Sequence, residues 1–169
     1  GQSAHESGYF KLTEENLKYS EDALNRVFSR YFGEGKEDAS KYARNPQKIA
    51  NYVYMDEHRS KGGALGNTEE NDGWAFRGRG FLQCTGRTNY RKFASEMRLP
   101  DVMKDPDLVA TEYAFESAYW FFQRNGLFKI ADTGVNDDVI TKITRRVNGG
   151  THGLDDRLEK TKKIYAWLT

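Results

Sequence analysis

A single cysteine, Cys84, among 169 residues leaves no partner for an internal disulfide and excludes a Cys-based zinc site. No apolar run approaches the roughly 20 residues that a membrane-spanning helix needs. An excess of one charge is missing too. The 26 basic and 25 acidic residues leave a net charge of +1, so no general field draws the molecule to nucleic acid or anionic lipid. Histidine is scarce: His5, His58 and His152 lie far apart, and His5-Glu6-Ser7-Gly8-Tyr9 lacks the second histidine of a zinc-protease H-E-x-x-H motif. That placement disfavours a zinc amidase or endopeptidase. Hydrophobic residues, at 37%, fall below the globular average. Disorder does not follow, because 10 Phe, 10 Tyr and 3 Trp supply an aromatic load that disordered chains lack. Repeats and low-complexity tracts are absent. Residues 1–10 are mixed, with a Glu and a His, and do not read as a signal peptide. Gly1–Glu6 reads instead as a helix already under way, so the expectation is one domain over 1–169 lacking an upstream segment.

What is there is helical periodicity almost throughout. Ser20 followed by Glu21 and Asp22 has the form of an N-cap. Leu24, Val27, Phe28 and Tyr31 then share one apolar face, ending at Gly33 and Gly35. A short helix is expected over 37–43. Asn45-Pro46 starts another, with Ile49, Val53 and Tyr52 inward. Residues 56–73 hold four glycines and no periodicity, which predicts a long mobile loop with few buried contacts. Weak alternation over 74–85 predicts a short β-hairpin. Residues 88–97 are helical, Asp105-Pro106-Asp107 opens a further helical stretch, and 110–124 is so aromatic that it predicts a central buried helix. Asn136 caps a helix over 137–147, closed by Asn148-Gly149-Gly150, and 155–168 forms the last one. The fold class is all-α with a minor β element.

Three clusters could carry chemistry. In the first, Glu6 and Glu15 stand nine residues apart. Two carboxylates flanking a glycosidic bond, about 6.5–9.5 Å apart when water attacks directly, are the usual requirement for sugar hydrolysis. On one straight helix nine residues turn by about 900° and rise about 13.5 Å, so the two would face opposite ways. A break is needed between them, and Gly8 supplies it. Surface acids are the commoner fate of such residues. In the second, Trp74 to Arg87, the G-x-G spacing has no following glycine and is not a dinucleotide loop. Gln83 and Thr85 would point the same way if extended, where they could bond a sugar or hold a water. A structural hairpin with paired arginines is the plainer reading. The third, Val147 to Arg157, serves as a helix end unless Asn148 turns its amide to a ligand. Cys84 reads as a small buried group, and Arg87, Arg91 and Lys92 as a solvated helix face.

Together the three clusters resemble the catalytic module of glycoside hydrolase family 19. The likeness is greatest to endolysins of phages that infect Gram-negative bacteria, and extends to chitinases. It rests on Ala4-His5-Glu6-Ser7-Gly8, Glu15-Asn16-Leu17-Lys18-Tyr19-Ser20, Gly73-Trp74, Arg77-Gly78-Arg79-Gly80 through Gln83, Thr85-Gly86-Arg87, Asn89-Tyr90, Asn148-Gly149-Gly150, Gly153-Leu154 and Arg157, in family order over nearly the whole chain. The resemblance implies a two-lobed, lysozyme-like fold with a cleft for a β-1,4-linked N-acetylhexosamine polymer. It makes Glu6 the general acid, Glu15 the general base and Thr85 a holder of the attacking water. Gln83, Asn89, Tyr90 and Asn148 become sugar-binding positions, and Arg157 an arginine beside the acid. A general acid must keep its proton at neutral pH, so Glu6 is expected to be the less solvated of the two, against Tyr9 and Phe10. The reading is then a peptidoglycan-degrading, inverting glycosidase that needs no cofactor, binds no nucleic acid and acts as a monomer. It would be made in the host cytoplasm and act on the periplasmic wall, or be carried on a virion. A chitinase and an idle carbohydrate-binding or virion structural module are the alternatives. The missing segment before His5, the absence of plant-type disulfides and the long 56–73 loop are departures from the family pattern; the second favours a phage or bacterial origin.

Overall fold

The computed structural model describes residues 1–59 and 63–169. In chain order the α-helices are α1 Gln2–Glu6, α2 Glu21–Val27, α3 Pro46–Val53, α4 Asp72–Ala75, α5 Arg87–Glu96, α6 Leu108–Thr111, α7 Ala114–Arg124, α8 Leu127–Ala131, α9 Asp137–Asn148 and α10 Leu154–Leu168. Short 3-10 turns lie at Ala39–Lys41, Asp56–His58 and Pro100–Met103. No element among the described residues is a strand, and an isolated bridge joins Phe32 and Glu37. The fold is all-α. The chain groups into two compact units, Gly1–Thr13 with Arg79–Gln83 and Leu108–Thr169, and Glu14–Gly78 with Cys84–Asp107.

In the first unit α1 packs on α10, α10 on α9, and α9 on α8. Leu127, Val139 and Ile143 form its core, with Phe121, Phe122 and Val147 packed against them. Asn136 caps α9 by accepting the Val139 N–H, and Asp137 and Asp138 follow in the first turn, favourable to the helix dipole. The expected central burial of α7 is not found. Phe115 is 63% exposed and Tyr119 is exposed, while Ala114, Ser117, Ala118 and Trp120 face inward. The reason is steric: a Cβ at Gly80 would overlap Ser117 Oγ, so only small residues on α7 admit the 79–83 backbone, whose Phe81 N–H reaches Ala114 O.

In the second unit Leu24, Phe32, Ile49, Ala50 and Val53 are buried together. The expected cap is present, Ser20 accepting the Ala23 N–H, and Asn45 caps α3 by accepting that of Lys48. However, α2 stops at Val27, which is 51% exposed. The chain turns at Phe28, and Phe32, rather than Val27, fills the core. The expected 37–43 helix shrinks to a 3-10 turn capped by Asp38.

Two further expectations change. The hairpin over 74–85 is absent, because α4 takes its first residues and left-handed φ at Gly80, Gln83 and Gly86 breaks any extended run. Its backbone N–H groups go elsewhere, Gly80 to Thr13 O, Gln83 to Gly80 O and Gly86 to Phe76 O. Gln83 and Thr85 therefore do not share a strand face, and they fall in different units. The loop 56–73, of which 60–62 lie outside the described residues, is tied down by polar groups. Asp56 accepts the Leu65 and Gly66 N–H groups. Asn67, fully buried, donates to Tyr54 O and accepts from Arg87 N. Asp72 accepts the Thr68 and Glu69 N–H groups and two bonds from Arg87.

Candidate active site

Glu6 closes α1, and the chain leaves it through an uncommon turn. Gly8, Tyr9 and Phe10 all take left-handed φ, +55°, +61° and +64°. Buried Ser7 holds that turn: its Oγ donates to Ser3 O at 2.6 Å and accepts Phe10 N–H at 2.8 Å. The break expected at Gly8 is present. The expected shielding of Glu6 is not, since Tyr9 and Phe10 are themselves exposed and 29% of the Glu6 side chain meets solvent.

The inner edge of Glu6 meets Arg157, which is 2% exposed. Arg157 spends its guanidinium in three directions: Nη2 to Glu6 Oε1, Nη1 to Gln2 Oε1 at 2.6 Å, and Nε to His152 O at 3.0 Å. Gln2 Nε2 in turn donates to Thr144 Oγ1, and that hydroxyl to Ile140 O. A buried cation is tolerated because its donors are matched in this way. Alongside, His5 Nδ1 and Lys160 Nζ both lie 2.5 Å from Asp156 Oδ2. Lys160, then His5, hold Asp156 below the usual carboxylate range. Arg157 is thus buried, with Glu6, Gln2 and the His152 carbonyl as acceptors for its guanidinium.

A hollow of about 290 Å³ in the first unit is lined by Glu6, Leu82, Gln83, Phe121, Val147 and Asn148. It brings together three residues chosen from the sequence. Three of its six lining side chains are apolar, two are amides and one is the Glu6 carboxyl, a mainly apolar wall with a few convergent polar groups, as small-molecule pockets have. Asn148 is partly spent at home, its Nδ2 donating to His152 O and its Oδ1 accepting from Gly150 N, beyond the helix end that Gly149 closes with αL backbone.

In the second unit Glu15 is half-buried between two donors. Tyr54 Oη donates to Oε2 at 2.6 Å, and the Gly78 N–H to Oε1 at 2.5 Å. The backbone registers this, Glu15 N–H donating to Gly78 O. Burial first, then the Glu15 charge, pushes the Tyr54 phenol well above its ordinary range, so it remains a donor. Glu14 faces elsewhere, accepting from Arg77 Nε, and Arg77 lies 3.8 Å over the Trp74 ring. Of the two candidate acids Glu15 is thus the more enclosed, the reverse of the expected order.

Thr85 is half-buried, and its carbonyl accepts Asn89 Nδ2 at 2.8 Å. Tyr90 is fully buried, with its hydroxyl donating to Arg77 O. It offers no surface to a sugar and instead supports the Arg77–Gly78 segment on which Glu15 leans. Reading the sequence missed Tyr54 altogether. It also missed Gln2, although Gln2 and Glu6 stand at i and i+4 and so share a helix face.

No protein-family model matches the chain. It is 36% identical over 162 residues to a Haemophilus influenzae protein named glycosyl hydrolase family 19 domain-containing protein, covering 92% of this chain and 71% of that one.

Proposed function

The chain belongs to glycosyl hydrolase family 19, and from that premise we propose that it is a lysozyme-like hydrolase that cuts the β-1,4 bonds of peptidoglycan glycan strands with inversion. The observation that carries the reading is the hollow where Glu6 stands with Gln83 and Asn148 between apolar walls. In this proposal Glu6 protonates the leaving glycosidic oxygen from its exposed edge while Arg157 holds the other side of the carboxyl group. Glu15 takes a proton from the attacking water. Its oxygens already carry Tyr54 Oη and Gly78 N–H, which fix its direction, and a carboxylate has about four lone-pair sites, enough to accept again. The Thr85 hydroxyl steadies that water. Attack from the face opposite the leaving group inverts the anomeric centre.

The test is digestion of purified peptidoglycan and, in parallel, of chitin oligomers. Soluble muropeptides with a new reducing end, insensitive to EDTA, are expected from peptidoglycan. Mass spectrometry of that end identifies the bond cut. Cleavage of chitin alone would make the protein a chitinase; cleavage of neither would leave a carbohydrate-binding module. A bacteriolytic, phage-derived role is tested by the fall in turbidity of outer-membrane-stripped Gram-negative cells.

A further inference from the structure

In the second unit, two hollows share a wall. One, about 610 Å³, is lined by Lys41, Tyr42, Asn45, Gln47, Lys48 and Tyr52 together with Asn51 and Asn71. The other, about 590 Å³, is lined by Met55, Asp56, Glu57, Asn67, Thr68 and Glu70 with the same Asn51 and Asn71. Neither contains a residue assigned above to hydrolysis.

The shared wall is built on close backbone packing. A Cβ at Gly73 would overlap the Ala50 carbonyl oxygen and come within 2.7 Å of Asn51 Cα, so α3 and α4 meet backbone to backbone. Asn51 fastens the join, its Oδ1 accepting the Trp74 N–H at 2.7 Å and its Nδ2 donating to Asn71 Oδ1 at 2.9 Å. Gln47 Nε2 donates to the same oxygen. Asn71 has φ +69°, a left-handed conformation that Asn adopts more readily than most residues with a side chain. Its Oδ1 is committed twice, so a ligand meets its Nδ2, and likewise meets Gln47 at Oε1. The floor of the first hollow is aromatic: Tyr42 and Tyr52 stand 4.9 Å apart over buried Phe32.

Charge divides the two hollows. The first carries exposed Lys48, and Lys41 shared with Glu37 at 3.3 Å. The second carries exposed Glu70, and exposed Glu57 with His58 Nε2 at 3.6 Å, while Asp56 is spent on backbone N–H groups. A cationic hollow and an anionic one, joined by a fixed amide wall, match a short extended peptide. Such a peptide would set carboxylates on one side and an ammonium on the other, with backbone amides for Asn71 and Gln47 between.

We propose that this paired hollow is a binding site for the zwitterionic peptide stem of peptidoglycan, its carboxylates toward Lys48 and Lys41 and its ammonium toward Glu70 and Glu57. The choice of stem peptide rests on the reading of peptidoglycan as substrate. The site lets the protein distinguish peptide-bearing glycan from bare polysaccharide.

The test is titration of the whole chain with the synthetic tripeptide L-Ala-γ-D-Glu-meso-diaminopimelate, followed by NMR amide shifts. Shifts are expected at residues 41–52 and 67–71. Lys48→Glu and Glu70→Lys are exposed and should fold; each should weaken binding by about 2–5-fold, the scale of an exposed ion pair. A tripeptide with its carboxylates amidated should bind more weakly to the parent chain and lose its sensitivity to Lys48→Glu. Absence of shifts in these segments, or equal affinity of the parent and both variants, would overturn the proposal. If the tripeptide binds as described while peptidoglycan is not cut, the site stands and the proposed hydrolysis falls. If peptidoglycan is cut but the tripeptide does not bind, the reverse holds.

Discussion

Glu6 and Glu15 are held by different means, and their substitutions should differ accordingly. Glu6→Gln keeps an oxygen for Arg157 but loses the proton donor, so the fold should persist while turnover falls by about 10²–10⁴-fold. Glu15→Gln should lose a similar factor. Full activity in either variant, measured as reducing ends released, would remove that residue from the chemistry. Thr85 separates hydroxyl from shape: Thr85→Ser should retain much of the rate, and Thr85→Val should lose on the order of 10²-fold. Glu14→Gln should stay active, but not without effect on the fold, since Glu14 pairs with Arg77, whose side chain is 8% exposed. Arg157→Met removes the donor to both Gln2 and Glu6. Breaking a buried pair costs about 3–5 kcal/mol, and the loss here should be smaller because Glu6 keeps a wet edge. Urea denaturation would read it.

Helix starts were legible in the sequence because capping is local. Ser20, Asn45 and Asn136 each bond an N–H three residues on, a contact that requires no tertiary partner. Asn136→Ala should therefore cost about 1 kcal/mol, read as a lower Tm. Helix ends and buried faces were less legible. Nothing in the 110–124 segment says that a backbone at Gly80 will claim its small residues and leave Phe115 outside. Close backbone approach has the same origin at α3 and α4. Gly73→Ala pushes a Cβ into the Ala50 carbonyl and should destabilise by about 1–3 kcal/mol. Gly150→Ala, where a Cβ meets nothing within 4 Å, should be nearly neutral in the same thermal melt.

For the molecule as a whole, Asp56 and residues 65–72 belong to the polar scaffold. Burial works to raise the Asp72 carboxyl, but Arg87 and the Glu69 and Thr68 N–H groups outweigh it and hold it below its ordinary range. A carboxyl depressed in the folded state stabilises fully above its unfolded value of about 3.9. That contribution is lost as pH falls through the folded value. Stability should thus decline from about pH 5 downward. Asp72→Asn should lower stability at pH 7 and flatten this part of the acid profile; an unchanged profile would show that the pair contributes nothing to it.

By itself the sequence determined the all-α class, most helix starts, the break at Gly8 and the family, because each depends on neighbours along the chain or on an ordered set of motifs. Only the tertiary structure decided which side chains those motifs spend on one another. Arg157 reaches Glu6 across 151 positions, and Tyr54 reaches Glu15 across 39. Tyr90, chosen from the sequence as a sugar contact, is buried instead under Arg77. Such pairings are made by packing between elements distant in sequence, and no local spacing encodes them.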